Sequence, residues 1–155
     1  MTDNTLLIQL QDSDDKKAYA LMKEIVETSA FTNRYYEYID DFASLLGSEK
    51  TYIRTRAFLI CCALARWDDE HRIQGFLPDM LKLFHDKKSI VVRQCLAAAK
   101  DLVEYRPELR ASIEEEARSI DLTQYRESMI PLLQKDIDKL LYVCSLYVIT
   151  ADRQF

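Results

Sequence analysis

Residues 42–67 read FASLLGSEKTYIRTRAFLICCALARW, and this stretch decides the fold. In its second half, apolar side chains recur three or four residues apart, at Ile53, Ala57, Ile60, Cys61 and Leu64. This spacing is that of one face of an α-helix. Gly47 closes an earlier apolar segment, as glycine commonly does just after a helix. The stretch therefore predicts two helices joined by a short polar turn.

The same helical spacing continues along the rest of the chain. The predicted helices run from Ser13 to about Thr28, from Thr32 or Asn33 to Gly47, from Ser48 to about Trp67, from about Asp68 to Phe84, from Ser89 to Tyr105, from Pro107 to about Ile120, and from Pro131 onward. Gly75 and Pro78 predict a break inside the fourth helix. No segment alternates apolar and polar residues in the manner of a strand, so the predicted class is all-α.

A shift of 39 residues superposes parts of the chain on one another. It places Ile53 on Val92, Arg54 on Arg93, Ile60 on Ala99 and Leu64 on Val103. Repeats of this length that consist of helix pairs indicate an α-solenoid, because one pair cannot bury its own apolar face and stacked pairs can. The sequence predicts a short α-solenoid of about three to four helix pairs, forming a single domain over residues 1–155.

The repeated segments resemble the HEAT and armadillo families of helical repeats. The HEAT pattern is a Leu-rich helix, a polar turn, then Val-Arg and a small residue three positions on. It is matched by Phe42–Leu46, Gly47–Thr51, Ile53-Arg54 and Ala57, and again by Pro78–Phe84, Asp86–Ser89 and Val92-Arg93. In the second copy, Leu96 stands where the small residue is expected. The resemblance implies an α-α superhelix whose second helices line a concave surface that holds a partner.

The chain as a whole is similar to a group of small bacterial HEAT-like proteins of undefined role, through residues 38–46, 52–56, 91–96 and 134–138. Such chains are sometimes labelled relatives of iron–sulfur cluster assembly proteins, so the resemblance also implies an accessory role in that assembly as an alternative. The scaffold proteins of that system have a β-helical core, which an all-helical chain cannot form.

The formal net charge of −5 is unevenly distributed. Residues 1–49 carry 4 basic and 10 acidic side chains, residues 50–110 carry 12 and 8, and residues 111–155 carry 5 and 8. The central basic residues that could contribute to a nucleic-acid surface, as in HEAT-like DNA glycosylases, are Arg54, Arg56, Arg66, Lys87, Lys88 and Arg93. The acidic total and the short array argue against this partner, so nucleic acid remains the second choice.

The residues needed for catalysis or metal binding are sparse. The chain has two His and two Gly, so neither a His-based catalytic group nor a Gly-rich phosphate loop is supported. Asp68 and His71 are one helical turn apart, but no second ligand pair accompanies them. We therefore predict no enzymatic activity, no cofactor and no metal.

The expected compartment is the cytoplasm. No apolar run approaches the roughly 20 residues of a membrane span, and no basic segment precedes an apolar run at the N-terminus. The four cysteines do not form a disulfide pattern and are expected to be buried, reduced thiols.

The predicted function is that of a scaffold or adaptor module for a protein partner of unknown identity. Residues of the second helices that face away from the apolar stripe should contact this partner. The repeat shift aligns them in rows, and the predicted contact residues are Thr55, Leu59, Arg66, Gln94, Asp101 and Tyr105. The alternative is a helix phase that differs by one residue, which would place Leu59 and Cys62 in the core.

Overall fold

The structure is a computed structural model that describes residues 3–152 and the side chains of residues 5–147. These residues form no strand and eight α-helices: α1 Asp3–Leu10, α2 Asp15–Thr28, α3 Ile39–Ala43, α4 Thr51–Ala63, α5 Arg72–Leu81, α6 Ser89–Tyr105, α7 Arg110–Arg118 and α8 Ile130–Asp152. Short 3-10 helices lie at Tyr36–Tyr38, Ser44–Gly47, Ala65–Trp67, Lys82–His85, Pro107–Leu109 and Leu122–Gln124. The predicted all-α class is confirmed. None of the described helices combines the length and the apolar composition that crossing a membrane requires.

Helix boundaries follow the sequence prediction in most places and depart from it in two. The helix α6 has the predicted ends, Ser89 and Tyr105. The helix α1 was not predicted, because its eight residues are too few to show a clear helical period. The predicted break at Gly75 and Pro78 is wrong, since both lie inside α5. Pro78 lies in the last turn of α5, where its missing N–H removes a single helical hydrogen bond.

The chain divides into two compact units, Met1–Met80 and Leu81–Phe155. Each unit has buried apolar side chains of its own. Met1, Thr2 and residues 153–155, which the expected single domain includes, lie outside the described residues. The single domain over 1–155 stays a prediction.

In the first unit, α4 packs against both α2 and α3, and α1 packs against α2 and α3. Because neighbours cover α4 on two sides, most of its residues are buried, namely Ile53, Thr55, Arg56, Ala57, Phe58, Ile60, Cys61 and Cys62. The cap of α2 is Asp14, whose carboxylate accepts hydrogen bonds from the amides of Lys16 and Lys17. The expected cap at Ser13 or Asp12 was therefore one or two residues early.

A buried arginine joins three helices of this unit. Arg56 on α4 is 6 % exposed. Its guanidinium donates to the carbonyl oxygen of Leu10 at 3.2 Å and to the carboxylate of Asp15 at 3.1 Å. The last residue of α1 and the first residue of α2 are thus held on α4 by one side chain. A carbonyl at a helix end lacks an intrahelical donor, and here the guanidinium supplies one.

In the second unit, α8 packs against α6 and α7. Its buried residues are Leu133, Ile137, Leu140 and Cys144. An ion pair joins α6 to α8, in which the Arg93 Nε lies 2.7 Å from a carboxylate oxygen of Asp136. The predicted role of the last helix as a cover for the preceding helices agrees with this packing.

Replacing Arg56 with methionine should destabilise the protein by about 2 kcal/mol, because the carbonyl of Leu10 loses a charged donor in a buried position. Urea denaturation followed by circular dichroism measures this. The matched control is Arg118→Met, since Arg118 pairs with Glu114 at the surface and its loss should cost less than about 0.5 kcal/mol. Equal effects of the two substitutions would contradict a structural role for Arg56.

Two adjacent leucines test the packing of α8. Leu133 is fully buried and Leu132 is 40 % exposed. Leu133→Ala should lower the free energy of unfolding by about 2–5 kcal/mol because it leaves a cavity. Leu132→Ala should change it by less than about 1 kcal/mol. If both substitutions lower the melting temperature equally, α8 does not cover the core through the Leu133 face.

Candidate functional site

The expected contact residues of the first unit differ in exposure. Thr55 is 5 % exposed, and its hydroxyl donates to the carbonyl oxygen of Thr51 at 2.9 Å. Burial of α4 by its two neighbours explains why Thr55 presents so little surface. Leu59 and Arg66 are partly exposed, whereas Cys62 is buried. Only the Cys62 half of the alternative core reading therefore agrees with the structure.

The expected contact residues of the second unit lie on one face of α6, at intervals of seven and four residues. Gln94 is exposed, and Asp101 and Tyr105 are partly exposed. Their spacing places them along the same side of the helix. Whether these residues bind a partner stays a prediction.

The arginines proposed for a nucleic-acid surface make intramolecular contacts. Arg56 and Arg93 are engaged as described above. Arg54 donates to the carbonyl oxygens of Ser48 and Glu49, both at 3.0 Å. Arg66 donates to the carbonyl oxygen of Ala30 at 2.7 Å. Because these guanidiniums bond to the protein itself, the structure adds no support for nucleic-acid binding.

The turns before α4 and α6 have matching geometry at a spacing of 38 residues. Extended residues at Ser48 and Asp86 follow 3-10 helices, and their side chains accept from the amides of Lys50 and Lys88. The sequence shift of 39 thus differs by one residue from the spacing of the turns. A helical apolar stripe tolerates both shifts, because its positions recur every three or four residues.

The loop after α2 presents an aromatic side chain to solvent. Phe31 is 87 % exposed, although the loop around it is firmly bonded. The carbonyl of Ser29 accepts from the Trp67 indole at 2.7 Å, and the next carbonyl accepts from Arg66. The amide of Phe31 bonds to the carbonyl of Thr28 at 3.0 Å. An ordered, exposed phenyl ring of this kind is typical of an interaction site.

A cleft of about 470 Å³ begins two residues further along the chain. Its lining consists of Asn33, Arg34, Tyr36, Glu37, Glu70 and Arg72. All six belong to the first unit, and they come from the loop before α3, the short helix Tyr36–Tyr38 and the start of α5. The volume falls in the range of pockets that hold small ligands or single side chains.

The wall of the cleft depends on the carboxylate of Asp68, which is 1 % exposed. It accepts from the Tyr36 hydroxyl at 2.5 Å and from the amides of Arg72 and Ile73 at 2.9 and 3.1 Å. These amides begin α5, so Asp68 caps that helix. His71, between the cap and the helix, has a φ of 57°, which costs a non-glycine residue about 1–2 kcal/mol. The hydrogen bonds to Asp68 hold this strained corner in place.

Arg72 forms the opposite charge within the cleft and is shared by two carboxylates. Its guanidinium lies 2.8 Å from Asp40 and 2.7 Å from Glu70. These two carboxylates raise the pKa of Arg72, Glu70 first and Asp40 second. The single cation is therefore outnumbered by its partners.

The surroundings of the cleft are acidic. The lining itself has two arginines and two glutamates, and two further carboxylates, Asp40 and Asp68, bond to lining residues. Across the first unit, 9 basic residues stand against 14 acidic ones, whereas the second unit has 12 of each. The net charge of −5 is thus carried by the first unit.

Tyr36 is a hydrogen-bonding group and not a base at neutral pH. Desolvation raises the pKa of its phenol above the ordinary 10.0, and the hydrogen bond to Asp68 raises it further. The phenol stays protonated, donates to Asp68, and has lone pairs with which to accept from a ligand. The buried thiols are equally unsuited to nucleophilic chemistry, because burial raises the pKa of Cys61 and Cys95.

No metal centre is apparent in the part of the chain that the structure describes, where no group of three or more His, Cys, Asp or Glu residues could hold an ion. Comparison of the chain with protein-family models, with curated proteins and with solved structures gave no match. The resemblance to HEAT repeats accordingly stays a prediction.

Sequence reasoning identified Arg66 at this place but missed Phe31 and Tyr36. An isolated phenylalanine between a helix end and the polar residues Thr32 and Asn33 was the available signal for Phe31. The bond between Tyr36 and Asp68 spans 32 residues and has no local signal.

Tyr36→Phe should cost about 1–2 kcal/mol at pH 7, because the buried Asp68 loses one of its three donors. The contribution of a group whose pKa is raised on folding is present below its unfolded pKa and is lost as pH rises through its folded pKa. The difference between wild type and variant should therefore shrink above pH 10. Urea denaturation at pH 7 and pH 10.5 measures it, with Tyr19→Phe as an exposed control. A difference that grows with pH would contradict the assignment.

Proposed function

We propose that this chain is a protein-binding module of the HEAT-like repeat type, without enzymatic activity, and that it works in the cytoplasm. The observation that carries the proposal is the exposed Phe31 on a firmly bonded loop beside an open cleft. Matching turns before α4 and α6 support the repeat, and the buried free cysteines support a reducing compartment.

Order in the Phe31 loop supports a binding role. Presenting an aromatic ring in water brings no benefit to folding, since its apolar area stays hydrated. A ring held on a rigid loop loses little conformational entropy on binding, which raises affinity. Arg66, an expected contact residue, then acts in this surface by holding Ala30, the residue before Phe31.

The composition of the surface supports a protein as the ligand. Phe, Tyr and Arg side chains are enriched in protein interfaces and at their hot spots. Here Phe31, Arg34, Tyr36 and Arg72 lie within 42 residues of the chain, in a single unit. The guanidinium of Arg34 also stacks on the Tyr35 ring at 4.7 Å, which limits its mobility.

A photo-crosslinking amino acid at position 31 tests the proposal in the cell that makes the protein. Benzoylphenylalanine replaces Phe31 in one variant and Tyr19, which is 56 % exposed on α2, in the control. We expect a discrete protein adduct from position 31 that excess wild-type protein removes by competition. The same adduct pattern from both positions, or an adduct that nuclease removes, would overturn the proposal.

A further inference from the structure

The cleft and its neighbouring aromatic ring combine two kinds of recognition. Its carboxylates attract cations, and Phe31 offers the face of an aromatic ring two residues away in sequence. Arginine and lysine side chains use both, because the charge pairs with a carboxylate while the stem and head group pack on a ring. This argument rests on the proposed function and assigns the chemistry of the partner.

We infer that the cleft of the first unit binds a basic segment of the partner, with an Arg or Lys side chain entering between its carboxylate-bearing walls. Glu37 and Glu70 line the cleft, and both side chains are exposed. Asp40 and Asp68 add charge from residues bonded to the lining. The opening accepts one long side chain and excludes a folded domain.

The internal cation Arg72 stands where the ligand would compete. It spans Asp40 and Glu70 with contacts of 2.8 and 2.7 Å, so both carboxylates are already oriented toward a guanidinium. Removing Arg72 should leave these carboxylates for the incoming cation. The inference therefore predicts a gain of affinity from a substitution that removes contacts, a result that structural damage would not produce.

Peptide binding measured by fluorescence anisotropy tests this inference. The probes are three labelled nonapeptide pools with alternate positions fixed as Arg, Lys or Glu and the rest randomised. We expect the Arg and Lys pools to bind the intact protein, the Glu pool to bind at least tenfold more weakly, and binding of the basic pools to weaken as salt increases.

Paired variants separate the cleft from the general acidity of the first unit. Glu37→Gln should weaken binding of the Arg pool about three- to fivefold, and Glu24→Gln, which makes the same charge change on α2, should leave it nearly unchanged. Phe31→Ala should weaken it about tenfold, and Tyr19→Ala should not.

Arg72→Gln should strengthen binding of the Arg pool about threefold more than Lys23→Gln, which removes one positive charge from α2. Equal effects within these pairs would overturn the inference, as would binding of the Glu pool. If position 31 still gives a competed protein adduct, the proposed function stands and only the basic chemistry fails. If position 31 gives no such adduct, the proposed function fails as well.

Discussion

The carboxylate of Asp68 must find hydrogen-bond donors inside the protein, because almost none of it contacts water. Two of its donors are the amides that begin α5, and the third is the hydroxyl of Tyr36, 32 residues earlier. The start of α5 and the loop before α3 are thereby joined through one acidic group. Both parts line the cleft, so its shape follows from how this carboxylate is satisfied.

Arginine side chains satisfy chain ends that other helical proteins close with glycine. The chain has only two glycines, and neither has a positive φ. Arg56 bonds to the carbonyl of Leu10 at the end of α1, and Arg110 bonds to the carbonyl of Val103 near the end of α6 at 2.7 Å. Carbonyls at helix ends need such donors. A central segment rich in arginine thus has a structural explanation that its net charge alone does not suggest.

Local patterns predicted what local forces decide. The ends of α6 follow from its apolar period and from Pro107, and the all-α class follows from the same period along the chain. The burial of Thr55 and Arg56 could not be predicted, because it depends on the packing of α2 and α3 against α4. The cleft was missed for a related reason, since it requires Tyr36 to meet Asp68 across a long stretch of sequence. Repeat alignment also misjudged the turn spacing by one residue, since apolar stripes match at either shift.

Charge shows why the site lies where no chemical motif marks it. A catalytic or metal site concentrates its titratable groups, whereas here the carboxylates near the cleft are each bonded to a neighbour that holds them in place, as Asp40 and Glu70 are to Arg72. Exposed pairs of this kind add little stability, because water screens them. Their arrangement matters more for recognition, since oriented charges select a complementary partner and repel others. The neutral second unit lacks this acidic excess, which assigns electrostatic selection to the unit that also presents Phe31.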